Sequence, residues 1–475
     1  MFGKGGLFVV AALASAAVLT SSAGAVSQGS AGINVSTRAG VVQYLASLGV
    51  DARGIVVQRG AHNYAGPNCP GKEWTCTTAQ RVLQIANDDN KSGSGRDGGG
   101  DDRGGGGRDD GDHNNNTFVC ASNSGPGSSS GPGDCTIFQF STSGDNVASC
   151  LERSGDASAT QSCRITQNNT TGANRIVIGQ QVDANNGPTQ SASQYGGSRQ
   201  TNGSGRNDVV IVQDIEQSLN KRDTDPNGAQ KQDAHQAASV TQDSDTGNNT
   251  AVVSQSLQLQ AEAQKGTALS QLQNTDGNVN SNVGVVQFST SGRNDARVNQ
   301  SNEYDAHMGK AVTGNQQQGS PGGGENVFFL QNSTGVSTIQ SKQNEDQDLH
   351  ADHVTNLTQT QYGPQWADPD QGSNPNDRYT INQSSSQHAS DPDTQDDQQF
   401  AQCSTSGNCT VSERIQQQGQ QQNNSCSGTN CDVGNHYTTQ GGESSHGSCT
   451  TPPNSEEGTC ASENTPPPPA PPNGD

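Results

Sequence analysis

The chain has 475 residues, a formal net charge of −22 and only 27% hydrophobic residues. Valine, isoleucine, leucine and phenylalanine together fall below roughly 20%, a level typical of disordered chains. A large globular core is therefore excluded, and so is a basic surface that binds nucleic acid, because excess negative charge repels phosphates. Such a chain either stays unfolded or is held together by backbone hydrogen bonds and side-chain amides.

The first 25 residues have the pattern of a secretory signal peptide. Lys4 supplies the positive start, an apolar stretch runs from Leu7 to Leu19, and small residues at 23–25 form a cleavage site. The apolar stretch is too short to span a membrane, and no stop-transfer flank follows it. We expect a secreted protein, extracellular or at the cell surface, without a membrane span.

Residues 26–53 are predicted to form an N-terminal helical cap. Val41, Leu45 and Leu48 follow helical spacing, and the Ser-Thr pair at 36–37 offers an N-cap. Because stacked repeats need polar-faced ends, this helix would close the first rung of a repeat array.

A repeated pattern dominates residues 54–345. The pattern Gln-x4-Gly-x-Asn-x5-Gln occurs four times in full, and a fifth copy ends in Glu152. The strings IFQFSTSGDN (137–146) and VVQFSTSGRN (285–294) are nearly identical. The repeated amide residues are Gln139, Asn146, Gln167, Asn174, Gln180, Gln200, Asn207, Gln213, Gln242, Asn249, Gln255, Gln287, Asn294 and Gln300.

Each half of a copy has the period of a β-strand. Asn174, Ile176, Ile178 and Gln180 share one face, and a glycine between the halves permits a tight turn. Stacked in register at about 4.8 Å, equivalent amides would form a structural ladder around a thin apolar core. The predicted fold class is all-β, a right- or left-handed β-solenoid of stacked strand–turn–strand rungs. The alternative is an unfolded Gln/Asn-rich tract.

The spacing of the repeats agrees with stacking. Gln167 and Gln200 are 33 residues apart, and Gln242 and Gln273 are 31 apart, whereas the 42 residues from Gln200 to Gln242 include an extra polar loop at 221–227. A degenerate outgoing strand is predicted at Asn326, Phe328, Leu330 and Asn332.

The cysteines indicate disulfides. An even count in an exported chain, without any C-x-x-C, favours disulfide bonds over zinc. Cys120 and Cys150 lie four residues after an asparagine, and Cys135 and Cys163 lie four before a glutamine, so all four fall on the inward face. Pairs 120–135 and 150–163 would staple successive loops, at about 3 kcal/mol each. The disulfide candidates are Cys69, Cys76, Cys120, Cys135, Cys150, Cys163, Cys403, Cys409, Cys426, Cys431, Cys449 and Cys460.

Two features near the N-terminus allow ligand-binding alternatives. The Gly/Asp-rich segment at 92–115 is predicted to be an overgrown loop within the first rungs. Its composition also suits calcium, but the apolar residue that calcium-binding repeats carry in each turn is absent. Tyr64 and Trp74 could bind sugars, although packing within a cap is the preferred interpretation.

Residues 346–475 are predicted to be a polar, low-complexity, cysteine-containing tail with a Pro-rich end at 464–472. His350, Asp352 and His353 could bind a metal, but a solvated segment is preferred because no supporting residues flank them. Three short cysteine loops are expected there, namely Cys403–Cys409, Cys426–Cys431 and Cys449–Cys460.

Over roughly residues 137–332 the repeat resembles the curlin-type repeat of bacterial extracellular amyloid fibres. That repeat also has a glutamine, a Gly/Asn turn and the sequence Asn-x-Ala-x3-Gln, which NTAVVSQ (249–255) and NDARVNQ (294–300) match. In this chain the turn is two residues longer, the rungs are irregular and disulfides are expected, unlike in curlin repeats. The resemblance implies a shared solenoid principle and suggests self-assembly into fibres.

No catalytic pattern accompanies the repeats. The chain has no H-E-x-x-H or P-loop motif, and the inward repeat residues are amides rather than titratable groups. We expect a secreted non-enzymatic structural protein, a subunit of an extracellular fibre or matrix, with no cofactor and no metal. The alternatives are a surface adhesin or glycan-binding solenoid and, third, a β-helix enzyme that degrades polysaccharides. Expected partners are further copies of the chain, or a glycan or cell surface.

Overall fold

The computed structural model describes residues 55–86 (except residue 73), 115–124, 133–185, 189–219, 229–265, 268–273, 281–318, 325–368, 376–389, 394–404, 408–416, 420–427, 430–438, 446–450 and 458–460. Beyond Asn382 it describes the backbone alone. All regular elements in these ranges are β-strands. The signal peptide and the helical cap predicted at 26–53 lie outside the described residues. Among the described residues, no helix is long and apolar enough to cross a membrane.

The strands are β1 (Val56–Gly60), β2 (His62–Ala65), β3 (Thr75–Thr77), β4 (Arg81–Ala86), β5 (Asn115–Ser124), β6 (Gly133–Ser141), β7 (Asn146–Ser154), β8 (Ser158–Asn169), β9 (Asn174–Ala184), β10 (Thr189–Asn202), β11 (Asn207–Leu219), β12 (Ala229–Ser244), β13 (Asn249–Lys265), β14 (Ala268–Gln273), β15 (Ser281–Ser289), β16 (Asn294–Gln318), β17 (Glu325–Ser333), β18 (Ser337–Asp368), β19 (Arg378–Ala389), β20 (Thr394–Ser404), β21 (Asn408–Gln416), β22 (Gln420–Ser427), β23 (Asn430–Thr438), β24 (His446–Thr450) and β25 (Gly458–Cys460).

These strands stack in two parallel sheets. The first sheet contains β1, β4, β6, β8, β10, β12, β14, β15, β17, β20 and β22, and the second contains β2, β3, β5, β7, β9, β11, β13, β19, β21 and β23. The long strands β16 and β18 begin in the second sheet and end in the first. From β2 to β23, leaving out β3 and counting the start of β16 and of β18, the second sheet has eleven described strands. At about 4.8 Å per step they span about 48 Å.

The register aligns equivalent repeat residues. Asn207 of β11 pairs with Asn174 of β9 on one side and with Asn249 of β13 on the other. In the first sheet, Gln200 of β10 pairs likewise with Gln167 and Gln242. A fold in which like residues stack along parallel strands is β-solenoid-like, so the predicted all-β stacked architecture is confirmed at this level.

The predicted spacing is wrong after Gln242. The glutamine stacked on Gln242 is Gln287, 45 residues later, and Gln287 in turn receives a hydrogen bond from Gln331 at 2.6 Å. The rungs are longer than the 31 residues predicted, because each long rung adds a first-sheet segment such as β14 before the repeat glutamine.

The degenerate copy predicted around residues 326–332 is also wrong, by one residue. Val327 and Phe329 are buried in the interior, whereas Phe328 and Leu330 are half-buried on the outside. The segment belongs to β17, an incoming strand of the first sheet. A shift of one residue exchanges the two faces of a strand, and Gln331 fixes the observed register by joining the glutamines of that sheet.

The interior holds a thin apolar core in two parts. The main part follows the two apolar positions of each rung, for example Ile176 with Ile178 and Val209 with Ile211. A smaller part, which includes Tyr304, lies on the far side of the second-sheet glutamines. Each rung therefore buries only a few side chains, in agreement with the low hydrophobic content of the chain.

Parallel pairing continues beyond residue 345, the predicted end of the solenoid. Strands β19 and β21 pair with β18 and β19, and β23 follows in the same register. Tyr379 and Ile381 are buried in the apolar positions of β19, so the core extends there. The register also places the buried Gln343, and after it Gln383, in the column of Gln300. The last rung is edged by antiparallel strands, with β24 on β23 and β25 on β22.

Candidate functional site: the stacked amide ladders

A ladder of asparagines runs through the second sheet. Each side-chain Nδ2 donates to the Oδ1 of the next rung, at distances of 2.8 to 2.9 Å. All its members are fully buried. They are Asn63, Asn116, Asn146, Asn174, Asn207, Asn249 and Asn294.

A ladder of glutamines runs through the first sheet in the opposite direction. Each Nε2 donates to the Oε1 of the preceding rung, at 2.6 to 2.9 Å. The two rows of amide dipoles are therefore antiparallel, and chains of such bonds polarise one another. The members are Gln58, Gln84, Gln139, Gln167, Gln200, Gln242, Gln287 and Gln331.

The two ladders also clamp the sheets together. Gln200 Nε2 donates to the backbone oxygen of Asp208 in the second sheet at 3.1 Å. In return, Asn174 Nδ2 donates to the backbone oxygen of Thr201 in the first sheet at 3.0 Å. Between the ends of a ladder, each amide N–H₂ thus places one hydrogen on its ladder neighbour and one on the opposite backbone, which satisfies both donors of a buried amide.

A second ladder in the second sheet begins at a carboxylate. Gln180 Nε2 donates to Glu152 Oε2 at 2.8 Å, and Gln213, Gln255 and Gln300 continue the row at 2.7 to 2.8 Å. Glu152 is only 1% exposed, so the residue that breaks the repeat pattern lies within the interior.

The structure places all the sequence-predicted ladder residues in these three rows, and it adds members that the sequence analysis missed. Gln161, Gln194 and Gln236 form a further row at 3.0 and 3.2 Å. Their spacing in the sequence could have identified them, because each of these glutamines lies six residues before a glutamine of the repeat. Another short row consists of Gln190, Gln232 and Gln271.

Glycines set the closeness of the turns. A side chain on Gly205 or Gly247 would collide with the carbonyl oxygen of the stacked glycine in the preceding rung. The side chain two residues after the ladder glutamine closes the turn. After Gln200, for example, Asn202 Oδ1 accepts a hydrogen bond from the Gly205 N–H at 2.9 Å. Only glycine allows successive turns to approach this closely.

Three disulfides occur among the described residues. They are Cys69–Cys76, Cys120–Cys135 and Cys150–Cys163. The last two stack, because Cys120 pairs with Cys150 and Cys135 with Cys163 in the strand register. Three of their sulfur atoms, those of Cys120, Cys135 and Cys150, accordingly lie within 4.8 Å of one another. These sulfurs are in disulfide bonds and buried, so they staple the N-terminal rungs.

The C-terminal cysteines are placed by backbone register alone. Cys403 of β20 pairs with Cys426 of β22, and Cys409 of β21 pairs with Cys431 of β23. Their side chains, the three C-terminal cysteine pairs and the side chains of residues 350–353 lie outside the described residues.

The aromatic residues near the N-terminus pack on one another. Tyr64 is buried and meets Trp74 edge to face at 6.4 Å between ring centroids, and His62 lies 5.1 Å from the same indole. This geometry agrees with packing at the first rungs rather than with a flat sugar-binding platform.

Carboxylates on the outer faces are partly desolvated. Burial raises the pKa of Asp243, the negative charge of Asp245 adds to the rise, and Arg199 opposes it. Burial likewise raises the pKa of Asp208, opposed by Arg206, whose Nε lies 3.1 Å from the carboxylate. Stacked rungs bring side chains of the same column close together, so acidic residues on these faces have less water around them.

Comparison with known proteins finds no matching family model, no matching curated protein and no matching solved structure. The ladders themselves therefore carry the functional argument. Their inward groups are neutral amides and hydrocarbon, with Glu152 as a terminating acceptor, and this arrangement is suited to holding rungs together.

Proposed function

We propose that this protein is a secreted, non-enzymatic structural rod, a subunit of an extracellular fibre or matrix with curlin-like repeats. The observation that carries the proposal is the unbroken series of amide hydrogen bonds, which links Gln58 to Gln331 in one sheet and Asn63 to Asn294 in the other. A rod held by such bonds needs no large core, so it can present a polar surface along its whole length.

Export is supported by two features. Residues 1–25 have the pattern of a signal peptide. Stacked, buried disulfides such as Cys120–Cys135 form and persist in oxidising compartments.

A second candidate is a discrete surface rod that acts as an adhesin or binds glycans. The antiparallel strands β24 and β25 favour it, because they cover the last parallel rung and interrupt in-register addition of another copy at that edge.

Electron microscopy of the oxidised protein without residues 1–25, combined with Thioflavin T binding, tests the proposal. Fibre or matrix assembly predicts unbranched filaments with a reflection at about 4.7–4.8 Å. The ladder variant Asn207→Asp should lose them, whereas the outer-face control Asn299→Asp should keep them. A dye-negative monomer with a β-type circular dichroism spectrum would refute the fibre proposal and favour the adhesin, to be examined on glycan arrays.

A further inference from the structure

Exposed hydrophobic side chains concentrate on one surface. Within the described residues, five of the seven large hydrophobic side chains that are exposed lie on the outer face of the second sheet, where they are 36–50% exposed. Register places them on the adjacent strands β7, β9 and β11. We name this surface the valine strip, and it consists of Val147, Leu151, Val177, Val210 and Val212.

A shallow groove crosses the valine strip. The groove has a volume of about 520 Å³ and is lined by Gly179, by Leu151 on one neighbouring strand, whose Cδ2 covers the glycine, and by Val212 on the other. The groove is also lined by Ala121, Arg153, Gln181 and Asp214. An apolar groove in a protein with a net charge of −22 is a place where burial against another surface is favourable.

At one edge of the valine strip, a positive side chain and a negative side chain lie on opposite sides of β9. Arg153 on β7, Gln181 on β9 and Asp214 on β11 occupy one column of the register. Arg153 Nε donates to Gln181 Oε1 at 2.9 Å. Consider a two-fold axis that is parallel to β9 and lies midway between two copies facing each other. It places β7 of one copy over β11 of the other, so Arg153 of one copy lies opposite Asp214 of the other.

We propose that the valine strip is the contact between two copies of this chain, packed face to face about this two-fold axis. Leu151 of each copy then meets Val212 of the other, and Val177 meets its own counterpart on the axis. Arg175 also lies near the axis, and its charge is balanced by Asp208 of the same copy, 4.0 Å away. Sheets that pack in this way lie about 10 Å apart with their strands rotated by about 30°, which keeps the two Arg–Asp pairs in reach.

The size of the strip sets the expected strength. Three strands at about 4.8 Å and six residues at about 3.3 Å give a patch of about 14 Å by 20 Å, or about 280 Å² on each copy. The total of about 560 Å² is about half of the roughly 1,200 Å² at which the range of stable interfaces begins. The pairing should therefore be weak and concentration-dependent, with a dissociation constant in the micromolar range or weaker.

Sedimentation velocity of the oxidised protein without residues 1–25, over a range of about 1 to 300 μM, tests this pairing. We expect the weight-average mass to rise toward that of a dimer. Val177→Lys should shift the association at least tenfold toward monomer, whereas Thr201→Lys, on the outer face of the first sheet, should not. Arg153→Asp and Asp214→Arg should each weaken association, and the double variant should restore it.

A monomer at every concentration would overturn the proposal, and so would dimers that Val177→Lys and the single charge reversals leave unchanged. Circular dichroism of each variant separates loss of pairing from loss of fold. The inference goes beyond the proposed function and is independent of it. Dimers without filaments would sustain the pairing alone, and filaments without dimers would sustain the fibre proposal alone.

Discussion

Replacing Asn207 by aspartate removes one amide donor from the middle of the asparagine ladder without changing the shape of the side chain. Asn207 is fully buried, and its Nδ2 donates to Asn249 Oδ1 at 2.9 Å and to the backbone oxygen of Asp243 at 3.1 Å. Both acceptors lose their donor in the ionised variant. At about 1–3 kcal/mol for each unsatisfied buried group, the variant should be destabilised by about 2–6 kcal/mol.

The same substitution should make stability depend on pH. Burial raises the pKa of a carboxyl group at position 207, so the folded state binds its proton more tightly than the unfolded state. The loss of stability relative to the wild type should therefore become smaller as the pH falls, because the neutral acid regains one hydrogen-bond donor.

Urea unfolding followed by far-UV circular dichroism, at neutral and mildly acidic pH, measures both effects. The matched control is Asn299→Asp, which makes the same chemical change on the exposed outer face and should stay within about 0.5 kcal/mol of the wild type at neutral pH. Equal stability of the two variants at neutral pH would refute the reasoning, because the ladder would then contribute nothing beyond a surface amide.

Three further predictions concern the turns, the staples and the outer carboxylates. Gly247→Ala should destabilise the fold by about 1–3 kcal/mol in urea unfolding, since its Cβ collides with the stacked glycine of the preceding rung, whereas Gly71→Ala has open space and should be neutral. Replacing Cys150 and Cys163 together by serine should cost about 3 kcal/mol; a loss no larger than that from a surface substitution would argue against the staple. Because burial raises the pKa of Asp243 above its ordinary value, its charge opposes folding at neutral pH, and this cost disappears as the pH falls through the folded pKa. Between pH 7 and about pH 4, the melting temperature of the wild type should rise relative to that of Asp243→Asn. A difference in melting temperature that does not change with pH would contradict this.

Local pattern predicted which residues face inward, but not always which rung comes next. The spacing of Asn174 and Gln180 is a property of one strand, so period-two reasoning finds it directly. The partner of Gln242 depends on how much chain is inserted before the next turn, and the period within a single strand does not distinguish Gln287 from Gln273. Aligning each candidate by its following glycine turn would have favoured Gln287, because that residue begins a full copy of the pattern.

The direction of the ladders could not be predicted from the sequence. Asparagine and glutamine carry the same amide, and either could donate toward either end of the stack. The choice follows from the second hydrogen of each amide. Gln200 donates to the backbone of Asp208 across its own turn, whereas Asn174 donates to the backbone of Thr201 in the next rung, and the row of each then donates in the opposite sense.

Hydrogen exchange of side-chain amides, followed by nuclear magnetic resonance on oxidised protein, tests the central claim most directly. The account predicts that the N–H₂ groups of Asn174, Asn207, Gln200 and Gln242 exchange many-fold more slowly than that of the exposed Asn299, because their hydrogens are bonded within the buried ladders. Exchange of all five groups at the rate of a free amide would contradict the stacked ladders and, with them, the structural rod.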